Sequence, residues 1–192
     1  YDMFNCDNGT YDAWYWAHPQ IYMQENCNLS DVEAIKLYTD KPVVCAGRLD
    51  PRVAGEAIKE GKIDGAGFAR PFLADGAWVT KLKEGKENEI RPCICCHNGC
   101  FNMAHWKGHA NVQTLKDSLH MSRCAVNAET MQSTVHYIKK TNAPKTVAII
   151  GGGIGGMEAA RVLKLRGHNP VIYEKSEKLG GTFLAASKAS FK

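Results

Sequence analysis

The segment Val147-Ala-Ile-Ile-Gly-Gly-Gly-Ile-Gly-Gly156 constrains the fold of this chain more than any other. The apolar run from Thr146 to Ile150 ends in Gly151-x-Gly153-x-x-Gly156, and an amphipathic helical pattern follows to about Leu165. Strand, glycine turn and helix in that order form the fingerprint of a dinucleotide-binding βαβ unit. The glycines permit a tight turn, a close approach of backbone to pyrophosphate, and close packing of helix on strand. The helix N-terminus supplies unpaired N–H groups and a favourable dipole for the phosphates. A second strand, Pro170 to Tyr173, leads to Glu174, where a carboxylate would meet a ribose hydroxyl. The motif does not separate FAD from NAD.

Ahead of it stands Cys93-x-x-Cys96-x-x-x-Cys100, with Cys124 as the nearest further thiol. Eight cysteines could signal a disulfide scaffold, but 192 residues of α/β pattern do not suit that class. Five of the eight fall between Cys93 and Cys124, which favours a metal or cluster site in a reducing compartment. Four thiolates suit a [4Fe–4S] cluster or a structural zinc ion. Zinc commonly takes two paired knuckles, and the second half here offers only Cys124, so the pattern favours iron–sulfur. Cys95 could replace Cys96 by a shift of one residue. Cys6, Cys27 and Cys45 fit buried apolar positions.

Residues before Ile90 alternate strand and helix. Tyr1–Asn5 is a strand end. Ser30-Asp-Val-Glu33 has capping-box spacing and predicts a helix to about Tyr38. Pro42–Ala46 and Ile63–Ala69 are strand-like. Asp50-Pro51 between them predicts an N-cap and first-turn proline for a helix closing at Gly61. Such alternation is the pattern of parallel βα units. Gly47-Arg48 and Ala69-Arg70 close consecutive strands, where backbone N–H groups and arginines can hold a phosphate. The alternative is that both arginines pair with carboxylates. Tyr11-Asp-Ala-Trp-Tyr-Trp-Ala-His18 forms an aromatic loop, suited either to a ligand-facing wall or to a hydrophobic plug. Val112–Met121 and Thr130–Lys140 carry modest helical patterns, and Asn142-Ala-Pro144 looks like a linker.

The net charge of +4, from 24 basic and 20 acidic residues, gives no footprint for nucleic acid. No apolar run nears the ~18 residues of a membrane span, and no signal peptide is recognisable. A cytoplasmic location is the expectation. The chain opens without Met and is expected to be an internal piece of a longer protein.

With these residues in view, the chain resembles the old yellow enzyme-related NADH:flavin oxidoreductases that carry a C-terminal iron–sulfur and FAD extension. That group includes 2,4-dienoyl-CoA reductase, 2-enoate reductase and trimethylamine dehydrogenase. Ala46-Gly-Arg48 and Gly67-Phe-Ala-Arg-Pro-Phe-Leu-Ala-Asp75 resemble its FMN-phosphate loops, which assigns Gly47, Arg48, Ala69 and Arg70 to that role. Arg91-Pro-Cys-Ile-Cys-Cys-His-Asn-Gly-Cys100 resembles its cluster motif, and Cys124-Ala-Val-Asn127 the segment of the fourth ligand. The interval from Cys100 to Cys124 is longer than the family's, which implies an insertion including Trp106 to Gln113.

The resemblance implies an α/β architecture in three parts. Residues 1–88 would end an FMN-binding (β/α)8 TIM barrel. Residues 89–144 would form the cluster segment and linker, and 145–192 the first βαβ of a Rossmann-like FAD or NAD(P)-binding domain. Gly151, Gly153, Gly156, Glu174, Gly180 and Gly181 would contact FAD, and Cys93, Cys96, Cys100 and Cys124 would hold the cluster. Electrons would pass from NADH to FAD, through the [4Fe–4S] cluster to FMN, and on to the activated C=C bond of a small unsaturated acid or thioester. Tyr11 would be a substrate-side hydrogen-bond or proton donor, with His18 a second candidate. An amine dehydrogenase of the trimethylamine type is the alternative within the class. A zinc-stabilised nucleotide-binding interaction module is the alternative outside it.

Overall fold

The computed structural model describes residues 1–102, 122–132 and 138–188. The chain divides into two compact units, Tyr1–Ser133 and Thr134–Lys192. Both are α/β with parallel strands. Among the described residues no helix is long and apolar enough to cross a membrane.

In the first unit, β1 (Phe4–Cys6), β2 (Val43–Ala46) and β3 (Gly65–Gly67) form a parallel sheet in that order. Cys6 lies opposite Cys45, and Cys45 opposite Ala66. The sequence predicts a strand over Ile63–Ala69, but only Gly65-Ala-Gly67 pairs with β2. Ile63 is instead buried in the core with Val32, Val43, Cys45, Leu49, Ala54 and Ala57. Burial pushes the Cys45 thiol up to about 12, so at neutral pH it acts as a small apolar side chain.

Helix α1 (Leu29–Lys36) connects the first two strands, and α2 (Pro51–Lys59) the next two. The predicted Asp50 cap is present: its carboxylate accepts from the N–H groups of Arg52 (2.9 Å) and Val53 (3.1 Å), with Pro51 in the first turn. α1 departs from the capping-box expectation. It starts at Leu29, one residue before Ser30, and its cap residue Asn28 makes no side-chain cap bond. Asn28 is fully buried, and its side-chain amide donates to Ala46 O at 3.1 Å. A tertiary bond to the end of β2 thus outcompetes local capping.

α3 (Arg70–Ala74) and α4 (Trp78–Lys83) follow β3 directly. Phe68 and Phe72 pack on Trp78, with ring centroids 4.9 and 5.4 Å away. The patterned stretch Val112–Met121 lies outside the described residues, as does the middle of Thr130–Lys140. Thr130 and Met131, at the start of the latter, form a turn rather than a helix.

In the second unit, β4 (Thr146–Ile150), α5 (Ile154–Leu165) and β5 (Asn169–Tyr173) form one βαβ crossover. Its bounds match the strand–turn–helix–strand reading to within a residue or so. α6 (Phe183–Ala186) is a single turn after the Gly180-Gly181 pair.

Candidate functional site

In the first unit the turns after β2 and β3 open on a cleft of about 910 Å³. Gly47 and Arg48 line it from the first turn, Ala69 and Arg70 from the second, and His18 from the aromatic loop. Gly47 has φ +116°, a conformation favourable only to glycine, and a Cβ there would run into the Asn28 amide. Three bonds hold this turn from outside. Asn28 donates to Ala46 O, Asn26 N–H donates to Arg48 O (3.0 Å), and Asp50 N–H donates to the Asn26 side chain (2.8 Å).

The Arg48 guanidinium donates to the carbonyl oxygens of Gln20 (3.1 Å), Ile21 (3.0 Å) and Met23, and it touches Glu25 at 3.5 Å. Its Nε is buried and unpartnered. Such an orphan donor is costly to bury, so an acceptor at this wall would relieve it. Arg70 donates to Pro19 O and to the His97 ring, both at 2.6 Å. A guanidinium only donates, so His97 Nε2 is the acceptor and the ring is neutral. Burial and the adjacent Arg70 both hold the His97 pKa below its usual value.

The His18 ring packs on Phe101 at a tilt of 44°, with centroids 4.4 Å apart, and Trp14 meets both rings edge-on at 5.6 and 5.7 Å. Tyr11 stands apart from the cleft, 91% exposed, with its ring against Trp14. The two candidate donors are therefore in different environments.

Next to the cleft is a small cavity lined by Cys93, Cys96, Cys100 and Cys124, together with Cys95. Two segments well separated in sequence supply these thiols. Arg123 N–H donates to Gly99 O at 2.6 Å, closing one segment on the other. Arg70, Leu73, Cys93, Cys95, His97 and Cys100 line both the cavity and the cleft. Among the described residues no three Cys, His, Asp or Glu side chains are grouped as ligands to a single metal ion. Cys95 and His97 have positive φ, +50° and +56°, so the loop is bent sharply at non-glycine residues.

Cys95 N–H donates to Cys93 Sγ at 3.4 Å, and the interaction between the two neighbouring thiols pushes Cys93 up and draws Cys95 down to about 6. Burial opposes the Cys95 shift, and the nearby Arg70 and Arg48 charges reinforce it. Cys96, on the same cavity, is exposed.

In the second unit, Gly151 has φ +102°, and a Cβ on Gly156 would strike the Gly151 carbonyl. The third glycine therefore serves close packing of α5 on β4. Glu174 accepts from Gly152 N–H (2.6 Å) and from Ser176 N–H and Oγ (2.9 and 2.8 Å). These bonds, led by that from Gly152, hold its carboxyl down at about 2. Gly180 N–H donates to Gly152 O at 2.8 Å, bringing the glycine pair against the fingerprint turn. Gly152, outside the G-x-G-x-x-G positions, thus bonds both Glu174 and Gly180. Its only signal in the sequence is its place as the middle glycine of three.

A parallel α/β unit whose two strand-end turns open on one cleft, followed by a glycine-turn βαβ unit, is the arrangement of an α/β protein with a dinucleotide-type fingerprint. Residues 5–89 match the NADH:flavin oxidoreductase / NADH oxidase family, and residues 149–188 match the NAD(P)-binding Rossmann-like domain. Over residues 5–89 the chain belongs to the NADH:flavin oxidoreductase / NADH oxidase family. It is 38% identical to cinnamate reductase of Clostridium sporogenes over 100% of its own length and 27% of that protein's. Histamine dehydrogenase of Rhizobium sp. 4-9 superposes with a TM-score of 0.77 at 26% identity, over 99% of this chain and 26% of that one. A 2-naphthoyl-CoA reductase in complex with 2-naphthoyl-CoA gives 0.76 at 26% identity, over 98% and 27%. The chain spans about a quarter of the length of the curated relatives it matches.

Proposed function

We propose that this chain is the central part of a longer flavin and iron–sulfur reductase acting on α,β-unsaturated acids or thioesters. Residues 1–88 would supply the last strands of an FMN-binding TIM barrel. Residues 89–144 would carry the cluster, and 145–192 would begin a Rossmann-like FAD domain. A cytoplasmic location accords with the reducing conditions such thiols need.

The observation that carries this reading is the adjoining pair of cavities. Four cysteines from two segments line one, and it shares Arg70 and two of those cysteines with the cleft bearing both phosphate-type turns. Zinc commonly takes two paired cysteine knuckles, and here the second segment brings only Cys124 to the cavity, which favours [4Fe–4S] over zinc. Gly47, Arg48, Ala69 and Arg70 would hold the FMN phosphate, with Arg48 Nε offering it an unsatisfied donor. Gly151, Gly153, Gly156, Glu174, Gly180 and Gly181 would hold FAD.

With these groups bound, electrons would pass from NADH to FAD, to the cluster, to FMN and on to the C=C bond. The chain's own residues would fix the geometry. Arg70 would neutralise phosphate charge, and His18, held by Phe101 at the cleft, would place a donor there. We assign that donor role to His18 in preference to Tyr11 because only His18 lines the cleft.

The aromatic loop and the likeness to histamine dehydrogenase support a second reading, oxidation of an amine. Trp14 and the neighbouring rings could face a cation. Turnover of cinnamate against a tertiary amine by the full-length enzyme separates the two.

Iron, acid-labile sulfide, zinc and flavin per chain, measured on anaerobically purified protein, test the proposal. About four irons and four sulfides are expected. One zinc without sulfide would turn residues 93–124 into a structural knuckle and overturn the electron route.

A further inference from the structure

One five-residue helix joins both halves of the thiol cavity to the flavin-phosphate turn. α3 begins immediately after Ala69 with Arg70, whose guanidinium holds the His97 ring at 2.6 Å. His97 follows Cys96 in the first thiol loop. At the other end of α3, Leu73 O accepts two bonds from the segment of the fourth cysteine. These come from the Asn127 amide at 3.0 Å and the Thr130 hydroxyl at 2.6 Å. Asn127 and Thr130 are both buried, and Asn127 N–H bonds back to Cys124 O at 3.3 Å. Just beyond α3, Asp75 accepts from Arg91 N–H at 2.9 Å, two residues before Cys93. The stretch ahead of the first cysteine, the loop of the first three and the segment of the fourth are thus all fastened to α3 and its C-cap. Arg70 and Leu73 line both cavities.

We propose that α3 couples the two sites, so that flavin phosphate at the cleft and a cluster at the thiol cavity each tighten the binding of the other. The inference rests on the cofactor assignment above. Phosphate bound at Ala69-Arg70 fixes the start of α3. A fixed α3 presents the Arg70 and Leu73 partners that draw the two thiol segments together. Binding linkage is reciprocal, so a cluster that draws those segments together fixes α3 and the phosphate turn in return. Asn127 and Thr130 are positioning residues in this arrangement, and neither lines the cleft, whereas His97 lines both the cleft and the thiol cavity.

The test is the FMN dissociation constant of the full-length, deflavinated enzyme, measured with the cluster intact and after its removal. FMN binding is expected to be at least about tenfold tighter with the cluster present, within the usual range of coupling between sites. Thr130→Val removes the bond to Leu73 at nearly constant volume and should shrink that ratio towards one at unchanged iron content. Thr130→Ser, which keeps the hydroxyl, should restore it. The rate of cluster loss to a chelator reads the same coupling from the other side, and FMN should slow it in wild type more than in Thr130→Val. Equal FMN affinity with and without the cluster, or a full ratio in Thr130→Val, overturns the coupling and leaves the cofactor assignment standing. Protein with no iron or sulfide would overturn the cofactor assignment, and the coupling with it.

Discussion

At the scale of single residues, adjacent cysteines play different parts. Cys95 lines both cavities and lies within the influence of Arg48 and Arg70, while Cys96 lines only the thiol cavity. Cys96→Ser should lose most of the bound iron, whereas Cys95→Ser should keep it, as measured by iron and sulfide content with the cluster's visible absorbance. The reverse result would shift the ligand set by one residue. His18 is separable in the same way. If it is a proton donor at the cleft, His18→Ala should lower kcat by about 10²–10⁴-fold while flavin stays bound. A fall confined to KM would make it a binding group only. At Gly47, alanine meets both a left-handed φ and the buried Asn28 amide. The substitution should cost at least about 1 kcal/mol in thermal unfolding and weaken FMN retention.

At the scale of elements, the Asp75 carboxylate is the joint between α3, α4 and the thiol loop. It accepts from Ala77 N–H (3.0 Å), Lys81 Nζ (2.7 Å) and Arg91 N–H (2.9 Å). Burial opposes its charge, but these three bonds outweigh burial and hold its pKa below the ordinary 3.8. Asp75→Ala should destabilise the first unit by about 2–3 kcal/mol near neutral pH, through loss of charge-assisted bonds. A depressed native pKa stabilises above the unfolded value and ceases to do so as pH falls through the native one. The gap between wild type and variant should therefore be constant above about pH 5 and close progressively below 3.8. Denaturant midpoints across pH would show this, and a gap that persisted in acid would remove the carboxylate from the explanation.

The elements themselves were legible where the rule is local. Asp50-Pro51 specified the start of α2, and the glycine fingerprint specified β4, α5 and β5. Local rules failed where a side chain is used at long range. Asn28 bonds to the end of β2, and α1 therefore starts one residue before the capping-box serine. The spacing of the first three cysteines was legible, whereas the cavity they line together with Cys124 comes from the fold. The Arg70–His97 contact was not legible, since no periodicity relates residues that meet only through the folded turn.

At the scale of the whole molecule, the two parallel sheets explain what the chain should be unable to do by itself. Among the described residues β1 and β3 pair only with β2, and β4 only with β5, so each sheet presents unpaired strand edges. Large apolar side chains stand in water in both units, among them Leu37 at 82% and Ile150 at 85% exposure. Parallel sheets are normally covered on both faces, and open edges invite pairing between chains. These 192 residues expressed alone should therefore be mostly insoluble or self-associated, and should show no steady NADH-dependent reduction of cinnamate. The full-length enzyme should be soluble under the same conditions. Ultracentrifugation with flavin content and NADH consumption would check both halves of this expectation. A soluble, monomeric 192-residue chain that turned over NADH would mean that the open edges are tolerated and that the second unit suffices for nicotinamide binding. Turnover would then be contained in far less protein than the relatives, of whose length this chain spans about a quarter.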